Sequence, residues 1–499
     1  MGIDAPVSDW TPDLSDFEGG SGEALNVIPG SRSYKPLKAF AAVSTTPLGA
    51  RCQGAAYFRK TSGDALPLAG DATRLYQLSV ATWTDASRTS GGAYSTSADD
   101  QWDFAQFGTL AIACNGADTP QKFTIDSSTN FAALGGTPPT GPRFIEIMGD
   151  FVVFGRLAAS KTKVQWSAIN NAEDYVASAT TQSDSQTIPD GGDITGMIGY
   201  EYGGLVFQER AIRRMDYIGS PIIFSFKKIA TDIGATIPGS VAGFGDRAFF
   251  VHRSGFFMVV GGQGIVPIGA EKVDQTFWGS STDAVDPVYT TRVSAAVDPV
   301  NKVYGILYCG LGTNHGGTPN RMMLFHWDTG RWSHAQPGSL ELIWSAVAQS
   351  GYTLDTLDSV STSIDTLPFS LDSTVWTGGP QPLFGGFDTS HNVGYFNGSN
   401  MAATVETNEQ EIIPGKIAFL RSCRPMVDGS ATPSVQIGYR GRLQDAVTYG
   451  SAVAADARGY TKFRQKGRYM RGRITIPAAS TWDHILGLDD VRAVAMGVR

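Results

Sequence analysis

The stretch "GDRAFFVHRSGFFMVVGGQGIVPIG", residues 245–269, decides the fold. Three short apolar runs, 248–252, 256–260 and 265–268, are separated by Arg253-Ser254-Gly255 and by the glycine-rich Gly261-Gly262-Gln263-Gly264. Runs this short, rich in Phe and Val and divided by turn-forming residues, predict a three-stranded antiparallel meander.

The same grammar recurs along the chain. "GAAYFRKTSGDALPLAGDATRLYQLS" predicts strands at 55–59 and 74–78 about a turn at Ser62-Gly63-Asp64. "LAIACNGADTPQKFTI" predicts 110–114 and 121–125 about Asn115-Gly116, and "RFIEIMGDFVVFGRL" predicts 144–148 and 151–154 about Gly149-Asp150. A further pair is expected at 205–208 and 212–217. Later, "NRMMLFHWDTGRWSHAQP" sets an apolar strand before Asp328-Thr329-Gly330, with Trp327 and Trp332 flanking the turn. That segment resembles the strand-turn-Trp ending of a kelch blade and, one residue short, the Asp-box turn of sialidases. It predicts a hairpin whose Asp caps the turn and whose Trp side chains pack between sheets.

These units recur at roughly 40–65 residues, the spacing of four-stranded blades arranged radially. The expected fold is therefore all-β: a β-propeller of five to seven blades, six favoured, over residues 45–408. Residues 1–44, rich in Pro, Gly, Ser and Asp around the anchors Trp10, Phe17 and Tyr34, read as an extended arm. Residues 409–499 change to long alternating strands with a basic excess and read as a terminal β-sandwich-like domain, to which the arm could add.

Composition agrees. Only 17% of residues are charged, while Gly numbers 59 and aromatics reach 11%; this favours strands and tight turns over helices, whose surfaces carry Glu and Lys. The net charge of −8 argues against a freestanding nucleic-acid binder. The four cysteines, Cys52, Cys114, Cys309 and Cys423, are widely spaced and read as buried free thiols. The start has no basic or apolar leader region, Pro6 stands where a myristoylation signal needs Ser or Thr, and no apolar run approaches the ~18 residues of a membrane span. The expectation is a soluble product made in a cytoplasm, with no membrane anchor.

Catalytic signatures are missing. The six histidines are scattered without ligand spacing, and there is no Gly-x-Ser-x-Gly elbow, phosphate loop or dinucleotide fingerprint. No catalytic residue, metal ligand or cofactor is expected, and the protein is read as not an enzyme. A glycosidase carboxylate pair assembled by folding needs no local motif, so a sialidase-like propeller stands as a lesser alternative. The strongest charged feature is the cluster Arg464, Lys466, Arg468, Arg471 and Arg473, preceded by Arg440, Arg442, Arg458 and Lys462. In "RYMRGRITI" alternation sends Met470, Gly472, Ile474 and Ile476 to one face and Tyr469, Arg471 and Arg473 to the other. These cations are candidates for subunit-interface or channel contacts, with a solvated strand face and a phosphate-contacting surface as the other readings.

"ALNVIPGSRSYKPLKAF" (24–40) resembles the opening of the tail nozzle or hub proteins of short-tailed bacteriophages, also called phage stabilisation proteins. The C-terminal "GRYMRGRITIPAASTWDHILGLDDVRAVAMGVR" is similar to that family's ending through Arg468, Arg471, Arg473, Trp482, Gly487, Gly497 and Arg499. Residues 352–376 and 387–407 are a further stretch of likeness. The resemblance implies a propeller subunit in a hexameric ring of the virion tail. That ring would continue the DNA channel below the adaptor or portal, bear fibres or spikes, retain the genome and let it eject. DNA would pass without sequence-specific binding. An acidic, charge-poor wall suits that role, because phosphate contacts dominate DNA affinity. A propeller that binds a host glycan or receptor is the main alternative.

One segment invites a different reading. In "YTLDTLDSVSTSIDTLPFSLDSTVW" (352–376), Asp358, Asp365 and Asp372 repeat every seven residues beside Leu and Ile. Pro368 and the Ser, Thr and Val density oppose a helix, and the span lacks the Gly-centred oxygen spacing of a calcium loop. It reads as an irregular connector whose Leu and Ile dock on a blade while Asp side chains cap turns.

Overall fold

The computed structural model describes residues 3–14, 20–347, 361, 363 and 382–496. The connector at 352–376 lies outside the described residues apart from Ser361 and Ser363, as do Phe17, Gly497 and Arg499. Within them the chain is all-β. Its helical content is the short helix Asp274–Trp278 and two 3-10 turns.

Seven four-stranded antiparallel units follow one another. Their first strands are Gly54–Arg59, Asp103–Phe107, Phe144–Met148, Ile194–Tyr200, Ala242–Phe244, Ser294–Asp298 and Leu340–Val347. The spacing favoured six such units; the seventh is assembled from two distant parts of the chain. Leu340–Val347, Pro382–Asp388 and Val393–Tyr395 supply three strands, and Ala41–Ala42 from the N-terminal arm supplies the fourth, with Ala41 opposite Tyr395. A two-residue strand carries no periodicity, so this pairing was not visible in the sequence.

First strands of successive units pack together, the fourth and fifth through Ile198 and Gly243, and Leu340–Val347 packs against both Ser294–Asp298 and Gly54–Arg59. The fourth and fifth units meet where a Cβ on Gly243 would lie 2.5 Å from Ile198 Cδ1, so any larger residue there would force Ile198 to shift. The arrangement is propeller-like. Because each sheet is covered on both faces, central strands are apolar throughout rather than alternating: every residue of Gly203–Gln208 and Val303–Tyr308 is buried.

A hydrophobic cluster fills each interval between neighbouring units. Phe58, Trp102 and Phe123 lie between the first and second, and Ile112, Phe154 and Tyr175 between the second and third. Met148, Trp166 and Phe224 follow, then Phe207, Phe250 and Val259. Phe249, Tyr304 and Trp332 pack between the fifth and sixth units, and Leu307, Leu324 and Phe384 between the sixth and seventh. Trp83, Trp344 and Phe387 then join the seventh to the first. Each large side chain so buried contributes roughly 1.5–3 kcal/mol.

The predicted meander is present as Arg247–His252, Gly255–Val260 and Gly264–Pro267, with Ala242–Phe244 as a fourth strand. In the first unit, 55–59 and 74–78 are not direct partners. Ala65–Gly70 runs between them, with Pro67 paired only on the side of Gly54–Arg59. Its ladder to Leu75–Ser79 begins only at Leu68, beyond the proline. At the Trp327–Trp332 hairpin, Trp332 is fully buried as expected. Asp328 does not cap the turn. Its carboxylate pairs instead with Arg247 at 2.9 Å and Lys302 at 2.5 Å.

The two ends of the chain form a second body beside the seven units. One sheet contains Val27–Pro29, Tyr34–Pro36, Trp482–Ala495, Ala418–Gly429 and Thr461–Gly467, with Ile3–Pro6 also paired to Trp482–Ala495. The other continues the sixth unit outward. Arg331–Ala335 pairs in parallel with Ala24–Leu25, followed by Ala403–Glu406, Tyr469–Ile476, Ser434–Arg440 and Thr448–Tyr449. Thus Ala41–Ala42 of the arm serves the seventh unit, while Ala403–Glu406, from the range expected for the propeller, serves the C-terminal body. All four cysteines are free and buried.

Candidate functional site

The five cations singled out from the sequence divide into two groups because the chain turns at Gly467–Arg468. Arg464 and Lys466 sit on Thr461–Gly467 with exposed side chains, and Arg468 is exposed in the turn. Arg471 and Arg473 lie on Tyr469–Ile476, in the opposite sheet, where the alternation holds: Met470, Gly472, Ile474 and Ile476 are buried and the residues between them are half-buried.

Arg471 and Arg473 converge on one carboxylate of their own chain. Glu406, whose side chain is 1% exposed, lies 2.6 Å from Arg473 Nε and 3.7 Å from Arg471 Nε. The Tyr449 hydroxyl donates to Glu406 Oε1 at 2.6 Å, and the Arg473 guanidinium stacks 3.9 Å over the Tyr449 ring. Burial, followed by the charge of Glu406, pushes the Tyr449 hydroxyl pKa up. This is an internal clasp holding Ala403–Glu406, Thr448–Tyr449 and Tyr469–Ile476 together. Glu406 was not singled out beforehand; a lone Glu ending the apolar "AATVE" was the available signal. Upstream, Arg440 pairs with the buried Glu409, and Lys462 lies 3.3 Å from Asp456.

The outward group forms a surface. A groove of about 630 Å³ is lined by Lys416, Tyr439, Arg442, Asp445, Lys466 and Arg468, among others. Arg468 Nε is 2.7 Å from Glu411 Oε1. The Glu411 pKa is lowered by the Gly415 N–H first and by Arg468 next. Lys416, Arg442, Arg464 and Lys466 have no ion-pair partner among the described residues. The surrounding charge is polarised. Residues 409–499 hold 14 Lys and Arg against 8 Asp and Glu, a net of +6; with −8 for the whole chain, the first 408 residues carry −14.

A second concavity lies where the first strands meet. It encloses about 520 Å³ and is lined by Tyr57, Asp103, Arg143, Glu146, Ser294 and Trp344, among others. Arg143 Nε is 3.3 Å from Asp100. Asp103 accepts N–H bonds from Ile145 and Phe104, both at 3.0 Å, yet burial raises its pKa. Burial first, and the charge of Asp103 second, push Glu146 up to about 8, so it stays largely protonated at neutral pH. Asp103 comes from one segment and Arg143 and Glu146 from another, so no single local motif announces the group. Among the described residues, no group of three or more His, Cys, Asp or Glu could hold a metal ion. No helix there is long and apolar enough to cross a membrane.

No family model matches the chain, and no curated protein matches it. Solved structures do. The designed protein Ika8 aligns at 9% identity over 72% of this chain and 98% of its own, with a TM-score of 0.36. The extracellular domain of a putative hybrid two-component system from B. thetaiotaomicron aligns at 10% identity over 86% of this chain, with a TM-score of 0.43; this chain covers 48% of that one. The AfRom2 CNH domain aligns at 8% identity over 71% of this chain and 97% of its own, with a TM-score of 0.35.

Proposed function

We propose that the chain is a structural subunit of the tail nozzle or hub of a short-tailed bacteriophage, a homohexameric ring rather than an enzyme. On this reading the seven four-stranded units are the blades of one closed propeller, and the interleaved chain ends form the domain that meets neighbouring subunits. The ring joins the adaptor or portal side, carries fibres or spikes, and passes DNA without sequence-specific contacts.

The observation that carries the reading is the charge division along the chain, +6 over residues 409–499 against −14 over the first 408. The basic segment 409–499 carries cations at Arg442, Arg464 and Lys466 with no ion-pair partner among the described residues, and the rest of the chain is acidic. In a head-to-tail ring each subunit presents the first surface to the second surface of its neighbour, and rotation closes the set. Short, covered strand edges allow such packing without open-ended sheet growth. The motifs at 24–40 and 467–499 support the same assignment.

Native mass measurement and negative-stain imaging of the full chain test it. A sixfold ring, formed alone or on a purified dodecameric adaptor, is expected. A monomer that persists with and without adaptor overturns the reading.

A further inference from the structure

Away from the C-terminal body, hairpin tips of the fourth and fifth units enclose a groove of about 470 Å³, within the range of about 300–1,000 Å³ typical of small-molecule clefts. Its lining includes Tyr200, Glu201, Tyr202, Arg214, Asp216 and Asp246. The chain reverses at Glu201–Tyr202 between Ile194–Tyr200 and Gly203–Gln208, which leaves the Tyr202 side chain 73% exposed. Across the groove, Gly261 and Gly262 turn with φ of 58° and 63°. Gly262 faces Tyr200 and Arg214, and its positive φ is the reason glycine stands at this turn.

The polar groups define the ligand. Arg214 Nε is held 2.7 Å from Asp216, so this pair is neutral overall. Asp246 lies 3.8 Å from Arg247 Nε, a guanidinium it shares with Asp328; Glu201 has no ion-pair partner among the described residues, and the Tyr200 hydroxyl is buried with no hydrogen-bond partner. The groove therefore combines aromatic surface, carboxylate acceptors and the unpaired negative charge of Glu201. Phosphorylated or carboxylated ligands are repelled. A bound peptide would desolvate Glu201 and Asp246 at a cost of several kcal/mol unless it paired both. A polyol donates a hydroxyl to each acceptor and brings no charge.

We propose that this groove is a carbohydrate site for a neutral hexopyranose, with the C–H face of the sugar on Tyr202 and its hydroxyls on Glu201 and Asp246. Tyr202 supplies flat amphipathic contact area at low entropic cost. The site stands apart from the ring reading, since none of its residues lies in the C-terminal body. Either can fail without the other.

The test uses the full chain, with saturation-transfer NMR and calorimetry against lactose, cellobiose, maltose and N,N′-diacetylchitobiose, and 3′-sialyllactose as an acidic control. At least one neutral disaccharide should bind, sialyllactose should bind more weakly than lactose, and Tyr202→Ala should weaken binding by about tenfold or more. Asp246→Asn should weaken it as well. Circular dichroism should be unchanged in both variants, because both positions sit at turn tips. The proposal is overturned if no neutral disaccharide binds, if the acidic sugar binds best, or if Tyr202→Ala retains full affinity.

Discussion

Arg473 Nε sits 2.6 Å from Glu406 Oε1, a carboxylate sealed from water beneath two guanidinium groups and a tyrosine hydroxyl. That contact separates cations that hold the chain together from cations that face outward. Reversing Arg473 to Glu would place a second carboxylate beside a buried one. Removing one partner of a buried pair costs about 3–5 kcal/mol, so Arg473→Glu should lower the thermal midpoint markedly or prevent folding. A midpoint within a degree or two of wild type would show that the clasp bears no stability.

The outward cations answer a different question. Arg464 and Lys466 are exposed and unpaired among the described residues, so the double variant Arg464→Glu/Lys466→Glu should fold as wild type, with a stability change within about 0.5 kcal/mol. If the basic body meets an acidic neighbour, this variant should lose the ring while its monomer keeps the wild-type circular dichroism spectrum. Rings of undiminished yield would remove these two residues from the interface.

How much of this was legible follows from what each feature depends on. The meander at 245–269 declared itself because its turns and apolar runs are local. The alternation in 469–476 was likewise local, and it placed Met470, Ile474 and Ile476 correctly inside. What Arg471 and Arg473 face was not legible, because Glu406 is remote in sequence and reaches them only through strand pairing. The seventh unit was hidden for the same reason: Ala41–Ala42 closes it from the far end of the chain. Ala65–Gly70 was not read as a strand, and it contains Pro67. Proline usually marks a strand boundary, but here the ladder on one side has already stopped when it is reached.

The seam between the seventh and first units should be a point of cooperative weakness. Phe387 is fully buried there, 5.8 Å from the Trp83 ring. Phe387→Ala should cost about 3–5 kcal/mol, read as a lower denaturant midpoint with an unchanged slope. A loss below about 1 kcal/mol would mean that this seam is not a packed interval like the other six.

Glu146 predicts a pH dependence. Its folded pKa is raised to about 8 from an ordinary carboxyl value near 4.5, so between those values the folded chain holds a proton that the unfolded chain has released. Stability contributed by this group is therefore intact below about pH 4.5 and is lost as pH rises towards 8. Glu146→Gln removes the titration. The variant should match wild type near pH 5 and exceed it by about 2 kcal/mol at pH 8.5, an order-of-magnitude figure discounted for water in the cavity. Parallel stability curves for the two proteins across that range would refute a raised pKa at this position.

Arg331 fastens the N-terminal arm. Its side chain, 5% exposed, reaches Asp9 at 2.6 Å, donates to the carbonyls of Gly30 at 2.8 Å and Ser8 at 2.9 Å, and covers the Tyr34 ring at 4.5 Å. His334, on the same strand, pairs with Glu23 and stacks on Trp10 at 4.5 Å. Methionine at 331 would keep the apolar stem but leave both carbonyls and Asp9 without their donor, at a cost of about 3–5 kcal/mol. Because the same arm supplies Ala41–Ala42, the loss should spread: Arg331→Met should speed amide exchange in Ile3–Pro6 and Val27–Pro29 and, more weakly, in Val393–Tyr395. Faster exchange confined to residues next to position 331 would show that the arm is held segment by segment rather than as one strap.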